Sequence, residues 1–309
     1  MTISNRFSPM RLYLFTAITL VVAFTTGHAQ GIAQNDLILV KYHKIYSEKI
    51  GEDREILVSV PEEYEKSGKK YPVLYMMDGE FNATPGLIGS IRYLEFLGQI
   101  PEFIVVGIKN TNRDKDVYPV EVTYGDGTKA GGRANQYLSF ISDELIPFIN
   151  KTYRTEDYKI LFGTSNTGFT TVYAMFSNPG AFNAYIAASA TLSIPVFTAG
   201  RDSLVKNWRG GEKFLYLVMG EHDFPTIIRL NGALKEVIDI NKPAGLTCRL
   251  NVLEGEGHVP ASSIFAGLKC LFRDWKYAGE ITDKENPEVK QHYSEQKRKY
   301  GFSEDFPVR

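Results

Sequence analysis

Two cysteines in 309 residues are too few for a disulfide scaffold. Cys248 falls on an expected strand and Cys270 on the helix after it, so both read as unpaired core thiols. Charge of one sign is lacking as well: 35 basic residues face 36 acidic ones, which leaves no field for a nucleic acid or an anionic membrane surface. Apart from Leu12 to Phe24 there is no long uncharged apolar run, and that one is shorter than the roughly 20 residues a spanning helix takes. The five histidines form no ligand cluster. His222 lies between Glu221 and Asp223, but three adjacent side chains at a strand end cannot converge on one ion, and His43 and His292 have neither glycine nor acid context. The glycine-rich stretch 125–132 lacks the Lys-Ser/Thr ending of a phosphate loop. No metal and no cofactor is therefore expected, and no repeat or low-complexity segment is present.

What is present begins with a leader. Arg6 and Arg11 precede the apolar run, and Gly27 and Ala29 supply the small-x-small pattern of a cleavage site. Residues 1–29 read as a signal peptide, which places the mature protein outside the cytoplasm, secreted or periplasmic. No cysteine stands directly after the cut, so lipid anchoring has no support, and no stable membrane insertion is expected once the leader is removed. Cleavage removes two of the 35 basic residues and none of the acidic ones, shifting the net charge from −1 to about −3.

Beyond the leader, Val40 to Lys49 and Glu55 to Val60 alternate apolar and polar residues, as antiparallel edge strands with one wet face do. Ile50 to Asp53 turns between them. From Tyr71 onward the apolar runs become continuous: Pro72 to Met77, Phe103 to Ile108, Tyr158 to Phe162, Ala184 to Ala188, Phe214 to Met219 and Cys248 to Leu253. Helix-length segments separate them, at Pro85 to Leu97, Arg133 to Asn150, Asn166 to Ser177, Pro225 to Ile240 and Ala261 to Lys276. That pattern predicts an α/β fold with a mostly parallel central sheet, antiparallel N-terminal strands and helices on both faces. No linker interrupts it, so residues 30–278 form one domain, followed by a charged C-terminal extension, 279–309, with a peripheral helix at Pro287 to Tyr300.

Three strand exits carry chemistry. The run Ile160 to Gly163 leads into Thr164-Ser165-Asn166-Thr167-Gly168 and directly into a helix, the form of a nucleophile elbow; an ordinary turn with a capping serine is the other reading. Thr167 stands where such an elbow has glycine, and its branched side chain is expected to crowd the strand or the helix start, with Gly163 and Gly168 making room. The run Phe214 to Met219 ends in Gly220-Glu221-His222-Asp223, which offers a carboxylate. Leu253 leads into Glu254-Gly255-Glu256-Gly257-His258, a glycine-rich loop suited to a mobile imidazole. The order Ser165, then Asp223 or Glu221, then His258 is that of an α/β-hydrolase triad. Two long segments, Lys109 to Gly132 and Ser189 to Glu212, leave the same strand ends and are expected to wall a substrate pocket.

Together with Tyr71-Pro72-Val73-Leu74-Tyr75-Met76-Met77-Asp78-Gly79, the strand Phe103 to Ile108 followed by Asn110-Thr111-Asn112-Arg113, and Glu144-Leu145-Ile146-Pro147-Phe148-Ile149, these motifs resemble the esterase-D-like α/β-hydrolases over about Val40 to Trp275. That group includes siderophore, feruloyl and acetyl xylan esterases, S-formylglutathione hydrolase and mycolyl transferases. The resemblance implies Ser165 as nucleophile, His258 as general base and Asp223 as orienting acid, with Glu221 the alternative acid. It also implies an oxyanion hole from the backbone N–H groups of Asn166 and Glu80. Family members usually have His or an aromatic residue before the serine and glycines after x, where this chain has Thr164 and Thr167-Gly168.

The expectation is a serine hydrolase acting on carboxylic esters, with a small-molecule or carbohydrate-linked ester as substrate. A catalytically impaired hydrolase-fold binding protein and an acyltransferase to a sugar hydroxyl are the alternatives. Phe81, Tyr124 and Trp208 are candidates to stack on a substrate ring.

Overall fold

Eight strands form one twisted sheet in a computed structural model that describes residues 40–303, apart from 81–83, 280, 282 and 284. The segment read as a signal peptide and the candidate Phe81 lie outside the described residues. In chain order the strands are β1 (Lys41–Ser47), β2 (Glu52–Ser59), β3 (Tyr71–Met76), β4 (Ile104–Ile108), β5 (Glu121–Thr123), β6 (Lys129–Gly131), β7 (Thr155–Thr164), β8 (Ala184–Ala188), β9 (Lys213–Gly220) and β10 (Leu246–Leu253). The main sheet runs β1-β2-β4-β3-β7-β8-β9-β10, while β5 and β6 pair as a separate hairpin. β1, β2 and β4 pair antiparallel, and from β4 to β10 every pair in the main sheet is parallel.

The continuous apolar runs have the expected cause, because alternate residues of each strand enter separate cores on the two faces. In β3, Val73 and Tyr75 enter one core while Leu74 and Met76 enter the other. β10 departs from this pattern. As the sheet's last strand it is exposed along much of its length, and Val252 is exposed despite the apolar run.

The helices are α1 (Tyr64–Ser67), α2 (Thr84–Phe96), α3 (Arg113–Asp116), α4 (Ala134–Ser139), α5 (Ile146–Thr152), α6 (Asn166–Ser177), α7 (Pro195–Lys206), α8 (Pro225–Asn241), α9 (Ser263–Leu271) and α10 (Pro287–Tyr300). α4 and α5 are one continuous helix with a π turn over Phe140–Leu145, where the Ile146 N–H reaches back to Ile141 O. Phe169 of α6, Leu234 of α8 and Ile141 fill the first core, whereas Ile91 of α2 and Leu268 of α9 fill the second.

The charged extension does form a helix, α10, capped by the Asn286 side chain and closed at Gly301. It is not peripheral in its packing. Tyr300 and Phe302 join Phe272, Trp275 and Tyr158 in an aromatic cluster, with Tyr300 and Phe272 ring centroids 4.8 Å apart. The charges face water while a few large rings hold the tail against the second core. Among the described residues, no helix is long and apolar enough to cross a membrane.

Candidate active site

Because β3, β4, β7, β8, β9 and β10 are parallel, their exits gather at one end of the sheet. Ser165 follows β7 directly and occupies the N-cap of α6 with φ 54° and ψ −114°, a conformation costly for a residue with a Cβ. Three backbone bonds hold it there. Its N–H donates to Ala188 O at 2.8 Å, and its carbonyl accepts from the N–H groups of Phe169 and Thr191. The hydroxyl makes no capping bond to the helix and lies 3.1 Å from His258 Nε2, so the capping-serine reading does not hold.

His258 hangs from the loop after β10, and the loop is anchored throughout its length. Glu221 N–H donates to Leu253 O, His222 N–H to Glu256 O, and Val259 N–H to the Ser189 hydroxyl at 2.9 Å. The loop passes so close to Gly220 that a Cβ there would lie 2.2 Å from Glu256 O. These contacts hold the glycine-rich loop where its imidazole reaches Ser165. Asp223, buried at the end of β9, places Oδ1 2.8 Å from His258 Nδ1 and takes the Phe224 N–H on the same oxygen. One tautomer satisfies both ring contacts: Nδ1–H donates to Asp223 and Nε2 accepts from Ser165.

Glu221 is corrected as the alternative acid. Its carboxylate accepts the Gly255 N–H at 3.0 Å, bracing the histidine loop and not touching the ring. His222 is exposed, with its nearest acid, Glu221, at 4.0 Å. No group of three or more His, Cys, Asp or Glu side chains that could hold a metal occurs among the described residues. Cys248 and Cys270 are free thiols, and burial pushes the Cys248 thiol up to about 12.

The two expected oxyanion donors differ. Asn166 is the first residue of α6, where a helix leaves N–H groups without intrahelical acceptors. Glu80 needs correction: its N–H donates to Asp78 O at 2.8 Å and is already engaged in this conformation. The bond closes a three-residue turn around Gly79, directly after Asp78, a non-glycine residue with φ 57°.

Asp78 is also the centre of a polar network that the sequence reading missed. Its carboxylate accepts from Arg113 Nε at 2.7 Å, Asn110 Nδ2 at 2.8 Å and the Thr167 hydroxyl at 2.6 Å. Burial alone would raise the Asp78 pKa, but the Arg113 guanidinium and the Thr167 and Asn110 donors hold it below the usual carboxylate range. Asn166 is steadied separately, with the Tyr118 and Thr191 hydroxyls 2.6 and 3.1 Å from its Oδ1. Asp78 and Arg113 stood in motifs that carried the family resemblance, but only their spatial meeting shows what they do.

The two long segments line a cavity whose lining includes neither Ser165 nor His258. Pro119 and Val120 from the first and Phe197 and Leu204 from the second line a volume of about 480 Å³ against Tyr173 of α6. Each segment contains structure not expected from sequence, α3 and the β5–β6 hairpin in one and α7 in the other. Trp208 is corrected as a stacking candidate, since it is buried against Phe176 and its indole N–H donates to Gly211 O. Tyr124 remains half-exposed near Tyr118, hydroxyl to hydroxyl at 3.5 Å. A larger cleft of about 720 Å³ lies at the opposite end of the sheet, beside the starts of β9 and β10, away from Ser165.

A mostly parallel sheet covered on both faces, with a strained serine at a strand-to-helix turn, defines an α/β-hydrolase. The chain belongs to the esterase family described as "Putative esterase", whose model matches residues 47–226. An IroE-like serine hydrolase from Shewanella oneidensis superposes with a TM-score of 0.76 at 26% identity, over 85% of this chain and 88% of that one. A siderophore hydrolase from Aspergillus nidulans shares the fold, with a TM-score of 0.66 at 19% identity over 76% of this chain and 94% of its own. An esterase of Mycobacterium tuberculosis is 25% identical over 188 residues, 55% of this chain. The chain spans only 38% of the length of that mycobacterial protein.

Proposed function

We propose that the protein is a serine carboxylesterase that works through an acyl-enzyme on Ser165. The observation that carries this reading is the pair of contacts on His258, 3.1 Å from Nε2 to the Ser165 hydroxyl and 2.8 Å from Nδ1 to Asp223. His258 takes the serine proton as Oγ attacks the ester carbonyl, and the imidazolium formed is stabilised by the Asp223 carboxylate. The proton then passes to the leaving alcohol, whose departure leaves the acyl group on Ser165. Water, activated by the same histidine, releases the acid and restores the serine. The Asn166 N–H at the helix start meets the oxyanion, a contribution of about 3 kcal/mol. Glu80 joins only after its N–H leaves Asp78 O.

The substrate is a small-molecule or carbohydrate-linked ester; the apolar cavity lined by Val120, Phe197 and Leu204 runs beside Tyr173 of α6, the helix that Ser165 precedes. The site of action is secreted or periplasmic, with the leader cut after Ala29; N-terminal sequencing of exported protein should begin at Gln30, and an intact Met1 would contradict export by cleavage. The function itself is tested with purified mature protein and short p-nitrophenyl esters. Steady turnover that Ser165→Ala abolishes supports the reading, whereas equal release by both proteins refutes it.

A further inference from the structure

We propose that Thr167 and Asp78 form a latch that replaces the usual glycine of the elbow and fixes the orientation of the Asn166 N–H, making Thr167 a positioning residue for ester cleavage. The inference rests on the serine-esterase reading above. It begins from a mismatch between sequence and packing. Glycines are needed in this turn, but at 163 and 168: a Cβ on Gly163 would lie 2.4 Å from Thr167 O, and one on Gly168 2.9 Å from Ala188 O. Those two glycines let the helix pass the strands, so position 167 is released from that duty. Thr167 is buried there without crowding the strand and uses its hydroxyl on both sides of the nucleophile.

Its Oγ1 accepts the Thr164 N–H at 2.8 Å and lies 2.6 Å from Asp78 Oδ2 and 2.8 Å from Thr164 O. A hydroxyl has one proton, and the shorter contact to an ionised acceptor takes it. The side chain therefore ties the residue just before Ser165 to the helix residue just after Asn166, and ties both to the end of β3. Only Ser165 and Asn166 lie between the two anchored positions. The strained φ of Ser165 and the direction of the Asn166 N–H are both set within that short span. Asp78 is in turn immobilised by Arg113 and Asn110 and touches the Thr164 hydroxyl at 3.2 Å. Its own carbonyl holds the Glu80 N–H, so one residue controls both arms from which oxyanion donors are expected.

The experiment compares Thr167→Val, which keeps the shape but loses the hydroxyl, with Thr167→Ala and with Thr167→Ser, which keeps the hydroxyl. p-Nitrophenyl acetate turnover gives kcat and KM, and amide hydrogen exchange follows residues 164–168. The latch predicts that valine and alanine lower kcat about tenfold to a hundredfold, as misplacement of a reacting group does, with KM little changed. Exchange at 164–168 should rise in both, and serine should restore most of the turnover. If Thr167→Val does not fold, Thr167→Ala carries the comparison. Wild-type kcat and wild-type exchange in the hydroxyl-free variants would overturn the latch. If the wild-type protein cleaves no ester, the esterase reading fails separately, and exchange alone decides: unchanged protection overturns the latch and lost protection upholds it.

Discussion

Asp223 Oδ1 stands 2.8 Å from His258 Nδ1, while Glu221, two residues earlier in the same turn, gives its carboxylate to the Gly255 N–H. Adjacent acids in one strand exit thus have separate tasks, one orienting the imidazole and the other bracing the loop that carries it. Asp223→Asn is expected to lower kcat by about 10⁴, because an amide favours the wrong imidazole tautomer. Glu221→Gln keeps an acceptor for Gly255 and should stay within about tenfold of wild type, since one hydrogen bond contributes about 1 kcal/mol. Equal losses in the two variants would mean that the assignment of acids is wrong.

Asp78 makes stability depend on pH in a defined direction. Its pKa is depressed in the folded protein, so its contribution is present in full above the ordinary aspartate value near 3.9 and is lost as pH falls through the depressed one. Asp78→Asn should lower the Tm at pH 7, and the difference from wild type should shrink as the pH is taken below the ordinary value. Thermal melts across pH 2 to 7 give the measurement. A difference that stays constant over that range would show that Asp78 acts through shape alone.

A second charged network supports the segment that supplies Arg113 and Tyr118. Arg54 is fully buried and bonds Asp116 at 2.7 Å, and Asp116 also takes Arg133 at 2.7 Å. Glu52 also pairs with both arginines, so removing Asp116 leaves two buried or half-buried cations to share one carboxylate. Asp116→Ala should cost about 2–4 kcal/mol in urea unfolding, because Glu52 compensates part of the charge on Arg54. A loss below about 1 kcal/mol would mean that Glu52 alone compensates Arg54 and that Asp116 adds little.

The aromatic cluster gives the tail an energetic role. Phe272 contacts Phe103, Tyr158, Trp275 and Tyr300, so Phe272→Ala should cost about 3–5 kcal/mol. Deleting residues 286–309 uncovers Phe272 and Trp275 and should lower the Tm as well. An unchanged Tm after the deletion would show that the tail adds nothing to the fold.

Elements buried on both faces were the most legible in sequence. β8 matches its apolar run of Ala184 to Ala188, and α6 matches Asn166 to Ser177, because covered strands and amphipathic helices leave periodic signals. α7 was not legible: Thr198, Gly200, Asp202 and Ser203 weaken helix propensity, and Pro195 reads as loop until it is seen at a helix start. The triad side chains could be placed because each follows an apolar run, at the point where a parallel strand delivers its residues to the site. Asp78, Arg113 and Thr167 could not be joined in that way. They lie far apart in the chain, are polar, and meet only through the sheet order and the turn at Asp78-Gly79, in which the non-glycine residue takes the positive φ. That turn also gives the expected Glu80 donor an acceptor of its own, Asp78 O.

The central claim is a covalent acyl group on Ser165, and mass spectrometry of protein quenched in acid during p-nitrophenyl ester turnover tests it most directly. The account predicts an added acyl mass on the peptide containing Ser165, absent in Ser165→Ala and strongly reduced in His258→Ala, which lacks the base that takes the serine proton. Turnover with no acyl mass on Ser165, or with the mass on another residue, would contradict it.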